Sequence, residues 1–151
     1  MFDDVARGLV SREAAAARYG VVLKDGASAF DPAATDAKRA AIRAERKSSA
    51  QPPRRAPLAE RSESGATVAG INEYLSVVQA SRGSVVRCRC GAVLCAAGEP
   101  YHDCLAVREI AGQTHPLGPE RKTPSFAVRE FFCPNCWTVV DTAVVVAETE
   151  V

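Results

Sequence analysis

Two short cysteine clusters are the part of this sequence best suited to chemistry. The first is Cys88-Arg89-Cys90-Gly91 and the second is Cys133-Pro134-Asn135-Cys136. Each lies between runs of β-branched and aromatic residues, so each is predicted to sit in a tight turn between two strands. Two turns that each offer two thiolates can complete a tetrahedral shell around one Zn²⁺, with no position open for a substrate. The pattern therefore predicts one structural zinc ion held by Cys88, Cys90, Cys133 and Cys136.

Two features of the clusters depart from the usual zinc-binding turn. The first cluster has one residue between its cysteines where most such turns have two, and Trp137 stands where many have glycine. A C-x-x-C pair can also be a redox centre, and a cysteine can be a plain buried apolar residue. Zinc is the preferred interpretation, and redox thiols or buried thiols are the alternatives.

The segment between the clusters holds a second set of candidate ligands: Cys95, His102, Asp103, Cys104 and His115. Cys95, His102 and Cys104, together with a water, would make a catalytic zinc site with an open position. We prefer to place both thiols in the core, because each adjoins an apolar run that reads as a strand. The residues left as candidates for a subunit interface are Arg89, His102, Arg108 and His115.

The elements that must position the clusters follow from the residue pattern around them. Val85–Arg87 and Ala92–Leu94 read as strands on either side of the first cluster, and similar runs flank the second. Apolar residues at 71, 74, 75 and 78 have helical spacing and predict a short amphipathic helix over Ile71–Ala80. The predicted fold class is small α+β, with a zinc-ribbon-like antiparallel β module and a short helix. An extended helical N-terminal arm that wraps a partner precedes the module.

The predicted domains are a docking arm at 1–46, a linker at 47–70 and the zinc module at 71–151. In the arm, Ser11 caps a helix that ends at Gly20, a short strand over 21–23 and a turn over 24–26 follow, and Asp31 caps a second helix that reaches Arg46. The apolar stripe of this helix is mostly alanine, which buries too little area to form a core. We therefore expect the arm to fold on a partner. The linker is rich in proline, serine and arginine.

The charge distribution bears on the class of partner. The chain has 151 residues and a formal net charge of +1. Residues 65–151 carry 7 basic and 9 acidic side chains, so the module is net acidic and poorly suited to phosphate contacts. A nucleic-acid-binding zinc ribbon is therefore a weaker alternative. With no apolar run of about 20 residues and no signal-like N-terminus, we expect a cytoplasmic protein without a membrane partner.

The N-terminal stretch resembles a known family. Residues 4–23, DVARGLVSREAAAARYGVVL, are similar to the C-terminal segment of hydantoinase B type subunits. The resemblance continues loosely from Asp31 to Arg46. It implies that the arm complements a hydantoinase B type partner.

The second half resembles another subunit of the same kind of complex. Ile71-Asn72-Glu73-Tyr74-Leu75, the first cluster and Arg129–Cys136 are similar to the small zinc-containing subunit of ATP-dependent ketone carboxylases, the acetone carboxylase gamma type. The resemblance implies hydantoinase A type and hydantoinase B type large subunits as partners. It also implies a reaction that joins a ketone and bicarbonate into a β-keto acid at the expense of ATP. The hydantoinase B-like arm favours the acetophenone carboxylase system, with acetone carboxylase as the alternative.

The sequence assigns no catalytic and no cofactor-binding residue to this chain. It has no G-x-x-x-x-G-K-[ST] phosphate loop, no dinucleotide fingerprint and no nucleophile elbow. We therefore expect the chemistry, ATP and Mg²⁺ to belong to the large subunits, and the zinc subunit to be non-catalytic by itself. A free-standing zinc or thiol enzyme is the remaining alternative. The Gly- and Pro-rich stretch 111–124 is predicted to be a loop that packs on a partner.

Overall fold

The computed structural model describes residues 2–24, 29–58, 65–81, 83–111 and 126–146. The chain divides into two compact units, Met1–Ser48 and Ser49–Val151. The first unit is helical and the second is built mainly of strands. Within these described ranges, no helix combines the length and the apolar character needed to cross a membrane.

Helices α1 (Phe2–Ala6), α2 (Arg12–Tyr19) and α3 (Pro32–Ser49) account for the first unit. Helix α2 has the predicted ends. Ser11 accepts a hydrogen bond of 3.1 Å from the Ala14 amide, and Gly20 closes the helix with a φ of 61°. A Cβ atom at Gly20 would lie 2.8 Å from the Cγ of Arg39 in α3, so this position favours glycine through both its conformation and its close packing.

Helix α3 also begins as predicted, because Asp31 accepts a hydrogen bond from the Ala34 amide at 2.9 Å. It continues to Ser49, beyond its predicted end at Arg46. The residues of its predicted buried stripe are exposed within this chain: Ala33, Ala37, Ala40, Ala41 and Ala44. The buried position is Thr35, whose hydroxyl accepts a hydrogen bond from the Val22 amide at 3.1 Å.

The segment between α2 and α3 is less regular than predicted. The expected strand over Val21–Leu23 is reduced to a single β-bridge between Leu23 and Phe30. Asp25 and Gly26, which belong to the predicted turn, lie outside the described residues. A backbone hydrogen bond fixes the segment instead: the Asp31 amide donates to the Val22 carbonyl at 2.8 Å.

The described part of the second unit contains two antiparallel sheets, with strand orders β1-β2-β3-β4 and β5-β6-β7. The strands are β1 (Thr67–Gly70), β2 (Leu75–Ala80), β3 (Gly83–Cys88), β4 (Val93–Ala96), β5 (Ala106–Ala111), β6 (Phe126–Phe132) and β7 (Val139–Val146). A short 3₁₀ helix, Tyr101–Cys104, joins the sheets, and the apolar run after Cys104, predicted as a strand over 105–110, forms β5 one residue further along. The small α+β class with antiparallel sheets is confirmed.

The prediction of a helix over Ile71–Ala80 is wrong. Residues 71–74 form a bend, and β2 then pairs along its whole length with β3. The side chain of Asn72 accepts hydrogen bonds from the amides of Tyr74 and Leu75, both at 2.9 Å, and so turns the chain into the strand. Ile71 and Tyr74, which gave the helical spacing, are each 37% exposed. Their spacing therefore reflects no buried helix face.

Part of the segment predicted as linker carries regular structure. Strand β1 lies in it and pairs with β2 at the edge of the first sheet, with all four of its residues exposed. Gln51 forms a β-bridge with Val107 through hydrogen bonds of 2.8 and 3.1 Å. Residues 59–64 of this segment lie outside the described part of the chain.

One apolar cluster joins the two sheets. It consists of Leu75, Val86, Cys88, Leu94, Cys95, Cys104, Leu105, Cys133 and Val140, each no more than 3% exposed. Cys95 and Cys104 belong to this cluster, as the sequence predicted for core thiols. Cys88 and Cys133 belong to it as well, so each of the two cysteine turns is anchored in the core by one buried residue.

Candidate metal centre

The four predicted ligands come from the ends of two hairpins. Cys88 is the last residue of β3, and Cys90 lies in the turn that leads to β4. Cys133 directly follows β6, and Cys136 lies in the turn before β7. The strand, turn, strand pattern predicted around each pair of cysteines is therefore present.

The turn at the first pair depends on glycine. Gly91 has a φ of 92°, and its amide donates a 2.8 Å hydrogen bond to the Cys88 carbonyl. The Cys88 amide donates in turn to the Ala92 carbonyl at 2.9 Å, which closes the loop at the base of the hairpin. A residue without Cβ adopts this conformation at little cost, so Gly91 fits the turn.

The turn at the second pair has the same kind of closure without glycine. The Trp137 amide donates to the Cys133 carbonyl at 2.8 Å, and the Cys133 amide donates to the Thr138 carbonyl at 3.1 Å. Trp137 has a φ of 56°, a left-handed conformation that is costly for a large side chain. Its ring lies 6.5 Å from that of Phe132, centroid to centroid. The unusual residue thus adopts the conformation that glycine adopts in other turns of this kind, and its ring lies over the core.

The sulfur atoms are placed as a tetrahedral metal site requires. The four Sγ atoms all lie within 4.8 Å of one another. The Sγ atoms of Cys88 and Cys136 are 4.0 Å apart, and those of Cys90 and Cys133 are 3.7 Å apart. A regular tetrahedron with metal–sulfur bonds of about 2.3 Å has edges of about 3.8 Å. The four cysteines therefore fit one zinc-sized ion in chemistry and in size.

Backbone and side-chain donors face the sulfur atoms. The Cys88 sulfur accepts a hydrogen bond from the Cys90 amide, and the Cys133 sulfur accepts hydrogen bonds from the amides of Asn135 and Cys136. The Cys136 sulfur accepts hydrogen bonds from the hydroxyl and the amide of Thr138. Such donors stabilise thiolates and orient them toward a cation.

Contacts among the thiols shift the pKa values of three of the cysteines in different directions. Hydrogen bonds from Cys133 and Cys88 hold the pKa of Cys136 well below its usual range. The hydrogen bond with Cys136 raises the pKa of Cys133 to about 12, and hydrogen bonds with Cys133 and Cys136 raise the pKa of Cys88. These contacts therefore favour the thiolate at Cys136 and the protonated thiol at Cys88 and Cys133. A metal ion must displace these protons, so its binding releases them to solvent.

A brace between the two turns was not predicted. The Asn72 side-chain amide donates to the Val140 carbonyl at 2.9 Å, just beyond the second cysteine turn. The Tyr74 carbonyl accepts a 2.7 Å hydrogen bond from the Arg89 amide, within the first. The bend at 71–74 therefore links both turns. The sequence signal was Asn72 itself, a residue typical of turns, inside the stretch interpreted as a helix.

The second candidate set does not assemble. Within the part of the chain that the structure describes, the four cysteines of the two turns are the one group of three or more His, Cys, Asp or Glu side chains close enough to hold a metal. Burial raises the pKa of Cys95 to about 11 and also raises the pKa of Cys104, so both thiols are protonated at neutral pH. His115 lies outside the described residues.

His102 has a different partner. Its Nε2 lies 2.8 Å from Oδ2 of Asp141, and the Tyr101 hydroxyl donates to the same oxygen at 3.2 Å. The imidazole contacts the rings of Tyr101 and Phe131, at centroid distances of 4.2 and 4.5 Å. Burial would raise the pKa of Asp141, but hydrogen bonds from His102, the Thr142 amide and Tyr101 outweigh it and lower that pKa. Sequence reasoning identified His102 but missed Asp141.

This polar cluster borders a cleft of about 510 Å³ on the second sheet. The charged side chains of its walls pair with one another, Arg129 with Glu109 at 2.9 Å and Arg54 with Asp103 at 3.9 Å. Positive and negative groups therefore balance there. The two other predicted interface residues are placed as follows: Arg108 forms a 2.8 Å ion pair with Glu130, and Arg89 is exposed.

The fold and the site define a small α+β protein with a four-cysteine cluster compatible with zinc ribbons. Comparison with known protein families matches residues 66–149 to the family described as acetone carboxylase gamma subunit. The match covers more than half of the chain, which therefore belongs to the acetone carboxylase gamma subunit family. The predicted gamma-type resemblance is thus confirmed. Comparison with curated proteins gave no match. The hydantoinase B-like stretch precedes the matched residues and stays a prediction.

Proposed function

We propose that this chain is the structural zinc-binding subunit of a multi-subunit, ATP-dependent ketone carboxylase. The proposal rests on the four convergent sulfur atoms that lie inside the family-matched segment. Four thiolates fill the coordination shell of zinc and leave no position for a substrate or a water. A closed shell of this kind contributes folding free energy instead of reactivity. Its role is then to hold the β-module together and to fasten it to the catalytic subunits.

The proposed partners are hydantoinase A type and hydantoinase B type large subunits, which bind ATP and Mg²⁺ and carry out the reaction. The surface of the first unit supports a docking role. Leu9 is 71% exposed, Tyr19 is 53% exposed and Phe30 is 45% exposed. The alanine-rich face of α3 is exposed as well. Exposed apolar groups on so small a unit are suited to packing against another protein.

The proposed reaction joins acetophenone to bicarbonate and gives a β-keto acid. The resemblance of residues 4–23 to the end of hydantoinase B type subunits favours acetophenone over acetone. The description of the matched family favours acetone as the second candidate. In both candidates the ketone binds to the large subunits, so assays of the assembled complex identify it.

Co-expression of this chain with hydantoinase A type and B type polypeptides tests the assignment. We expect a complex that copurifies with one zinc per copy of this chain and incorporates labelled bicarbonate into a ketone only when ATP is present. Parallel assays with acetophenone and acetone identify the substrate. A purified complex without stoichiometric zinc would contradict the structural role, and failure to assemble would contradict the carboxylase assignment.

Matched cysteine variants separate the metal site from general effects of losing a thiol. Cys88→Ser and Cys133→Ser remove predicted ligands and should abolish both zinc binding and assembly. Cys95→Ser and Cys104→Ser make the same atomic change in equally buried thiols that lie outside the four-sulfur cluster. These two variants should retain zinc. If all four variants lose zinc alike, zinc loss reports core damage and the ligand assignment loses its support.

A further inference from the structure

We propose that Cys90 is the modification site of the metal centre. Soft electrophiles and peroxides react first with this thiolate, and the reaction releases the metal. The inference rests on the zinc ion of the proposed function, but it is independent of the proposed partners and reaction. It assigns to one ligand a chemistry that the other three ligands do not share.

Exposure is the first observation that separates Cys90 from the other ligands. Cys88 is 2% exposed and Cys133 is fully buried, whereas Cys136 is half-buried and Cys90 is exposed. Attack on an electrophile requires thiolate character and access. Zinc binding gives thiolate character to all four sulfur atoms, so access decides among them. Access favours Cys90.

The hydrogen bonds to sulfur are the second observation. The sulfur atoms of Cys88, Cys133 and Cys136 each accept a hydrogen bond from at least one backbone amide, which the turn holds in place. The Cys90 sulfur receives the side-chain amide of Asn135 at 3.5 Å, and Asn135 is itself exposed. A hydrogen bond to a thiolate stabilises the charged form and lowers its reactivity. Because a surface side chain rotates away more easily than a backbone amide, this protection is the weakest at the site.

The position of Cys133 determines the product of oxidation by a peroxide. The Cys90 thiolate attacks the peroxide, breaks the O–O bond and becomes a sulfenic acid, while the leaving oxygen departs as an alcohol or as water after protonation. The Cys133 sulfur, 3.7 Å from that of Cys90, then attacks the sulfenic sulfur and expels hydroxide. The two thiolates together lose two electrons to the peroxide. A disulfide between them leaves zinc with two ligands, and the ion is released.

Timed alkylation of the zinc-loaded full chain tests the proposal directly. The chain is first shown to contain zinc and is then treated with N-ethylmaleimide, quenched and mapped by peptide mass spectrometry while a colorimetric chelator records released zinc. We expect Cys90 to be modified at least about tenfold faster than Cys88 and Cys133, with zinc release at the same rate. Cys95 and Cys104 are internal controls, because both are buried and should stay unmodified until zinc is lost.

The outcomes of this map decide the proposal without any variant. Modification that begins at Cys88, Cys133 or Cys136, or zinc release ahead of any labelling of Cys90, overturns it. Treatment with hydrogen peroxide should give a cross-linked peptide pair that joins Cys90 to Cys133, and a different pair would overturn the oxidation step. A chain that holds zinc but does not assemble with large subunits still gives a valid result here.

Two variants provide a further check. Asn135→Ala removes the side-chain donor and should speed alkylation of Cys90 about threefold to tenfold, the effect of losing one hydrogen bond of ordinary strength. Cys90→His keeps a zinc ligand but removes the exposed thiolate. Its zinc should be released by N-ethylmaleimide at least about tenfold more slowly than wild-type zinc. Equal rates would show that another sulfur is the point of attack.

Discussion

Replacing Asn72 by alanine removes the brace that links the two cysteine turns. The side chain accepts from the amides of Tyr74 and Leu75 and donates to the carbonyl of Val140, each at 2.9 Å. The Tyr74 amide lies at the surface, where water can replace the lost acceptor at a cost of about 0.5 kcal/mol, whereas Leu75 is 1% exposed, so the loss of the acceptor for its amide costs about 1 kcal/mol. Val140 is 3% exposed, and the loss of a partner there costs about 1–2 kcal/mol. We expect Asn72→Ala to lower the free energy of unfolding by about 2.5–3.5 kcal/mol.

Urea unfolding of the zinc-loaded protein, followed by tryptophan fluorescence, measures this change. The single tryptophan, Trp137, reports on the second unit, since it lies in the turn that the brace supports. In a unit of roughly 100 residues, each kcal/mol corresponds to about 4–8 °C in melting temperature. Thermal unfolding should therefore shift downward by about 10 °C or more.

Two matched variants isolate the part played by Val140. Asn72→Ser keeps a short acceptor for the bend but is too short to reach the Val140 carbonyl. It should therefore lower the free energy of unfolding by about half as much as Asn72→Ala does. Glu73→Ala changes an exposed neighbour and should stay within about 0.5 kcal/mol of the wild type. If Asn72→Ala behaves like Glu73→Ala, the bend contributes nothing to the site and the brace is refuted.

Two further predictions concern features away from the metal centre. Gly20→Ala should destabilise the helical unit by about 1–2 kcal/mol in circular dichroism unfolding, because it combines a left-handed backbone with close packing on Arg39. Gly8→Ala is its control, with a φ of 72° but open space around the new Cβ, and an equal loss would show that the packing has no effect. Burial, together with the nearby Cys104, raises the pKa of the Cys95 thiol from 9.0 to about 11. The contribution of this thiol to the stability of the fold is therefore complete below pH 9 and declines as the pH rises toward 11. The urea midpoint should fall over that interval, and less so in Cys95→Ala; identical pH profiles would contradict the assignment.

The four-cysteine cluster was predictable because each half of it is encoded locally. A pair of cysteines in a turn, with β-type residues before and after, places two sulfur atoms at the end of a hairpin whatever the rest of the chain does. The prediction that the two halves converge followed from the preference of zinc for four thiolate ligands. The sequence already showed Trp137 where many such turns have glycine, and in the structure Trp137 adopts a positive φ.

The remaining features depend on information that a local pattern does not contain. The helical spacing over Ile71–Ala80 was outweighed by pairing of β2 with β3 and by the turn chemistry of Asn72. Strand β1 is exposed at every position, so no alternation of apolar residues marks it. The contact of His102 with Asp141 joins residues far apart in sequence and exists only once the second sheet is placed. Pairing with a neighbouring strand decided the first two cases, and a long-range contact between side chains decided the third.

The placement of the ligands also has a consequence for the order of folding. Each hairpin closes a short loop, which takes about 1–10 μs in isolated peptides. Joining the two turns closes a much longer loop, since residues 91–132 lie between Cys90 and Cys133. The entropy lost in closing a loop rises with its length, and a cross-link that closes one contributes accordingly. We therefore expect the metal to bind late in folding and to join two hairpins that have already formed. The supply of metal, and not strand formation, then sets the rate at which the module is completed.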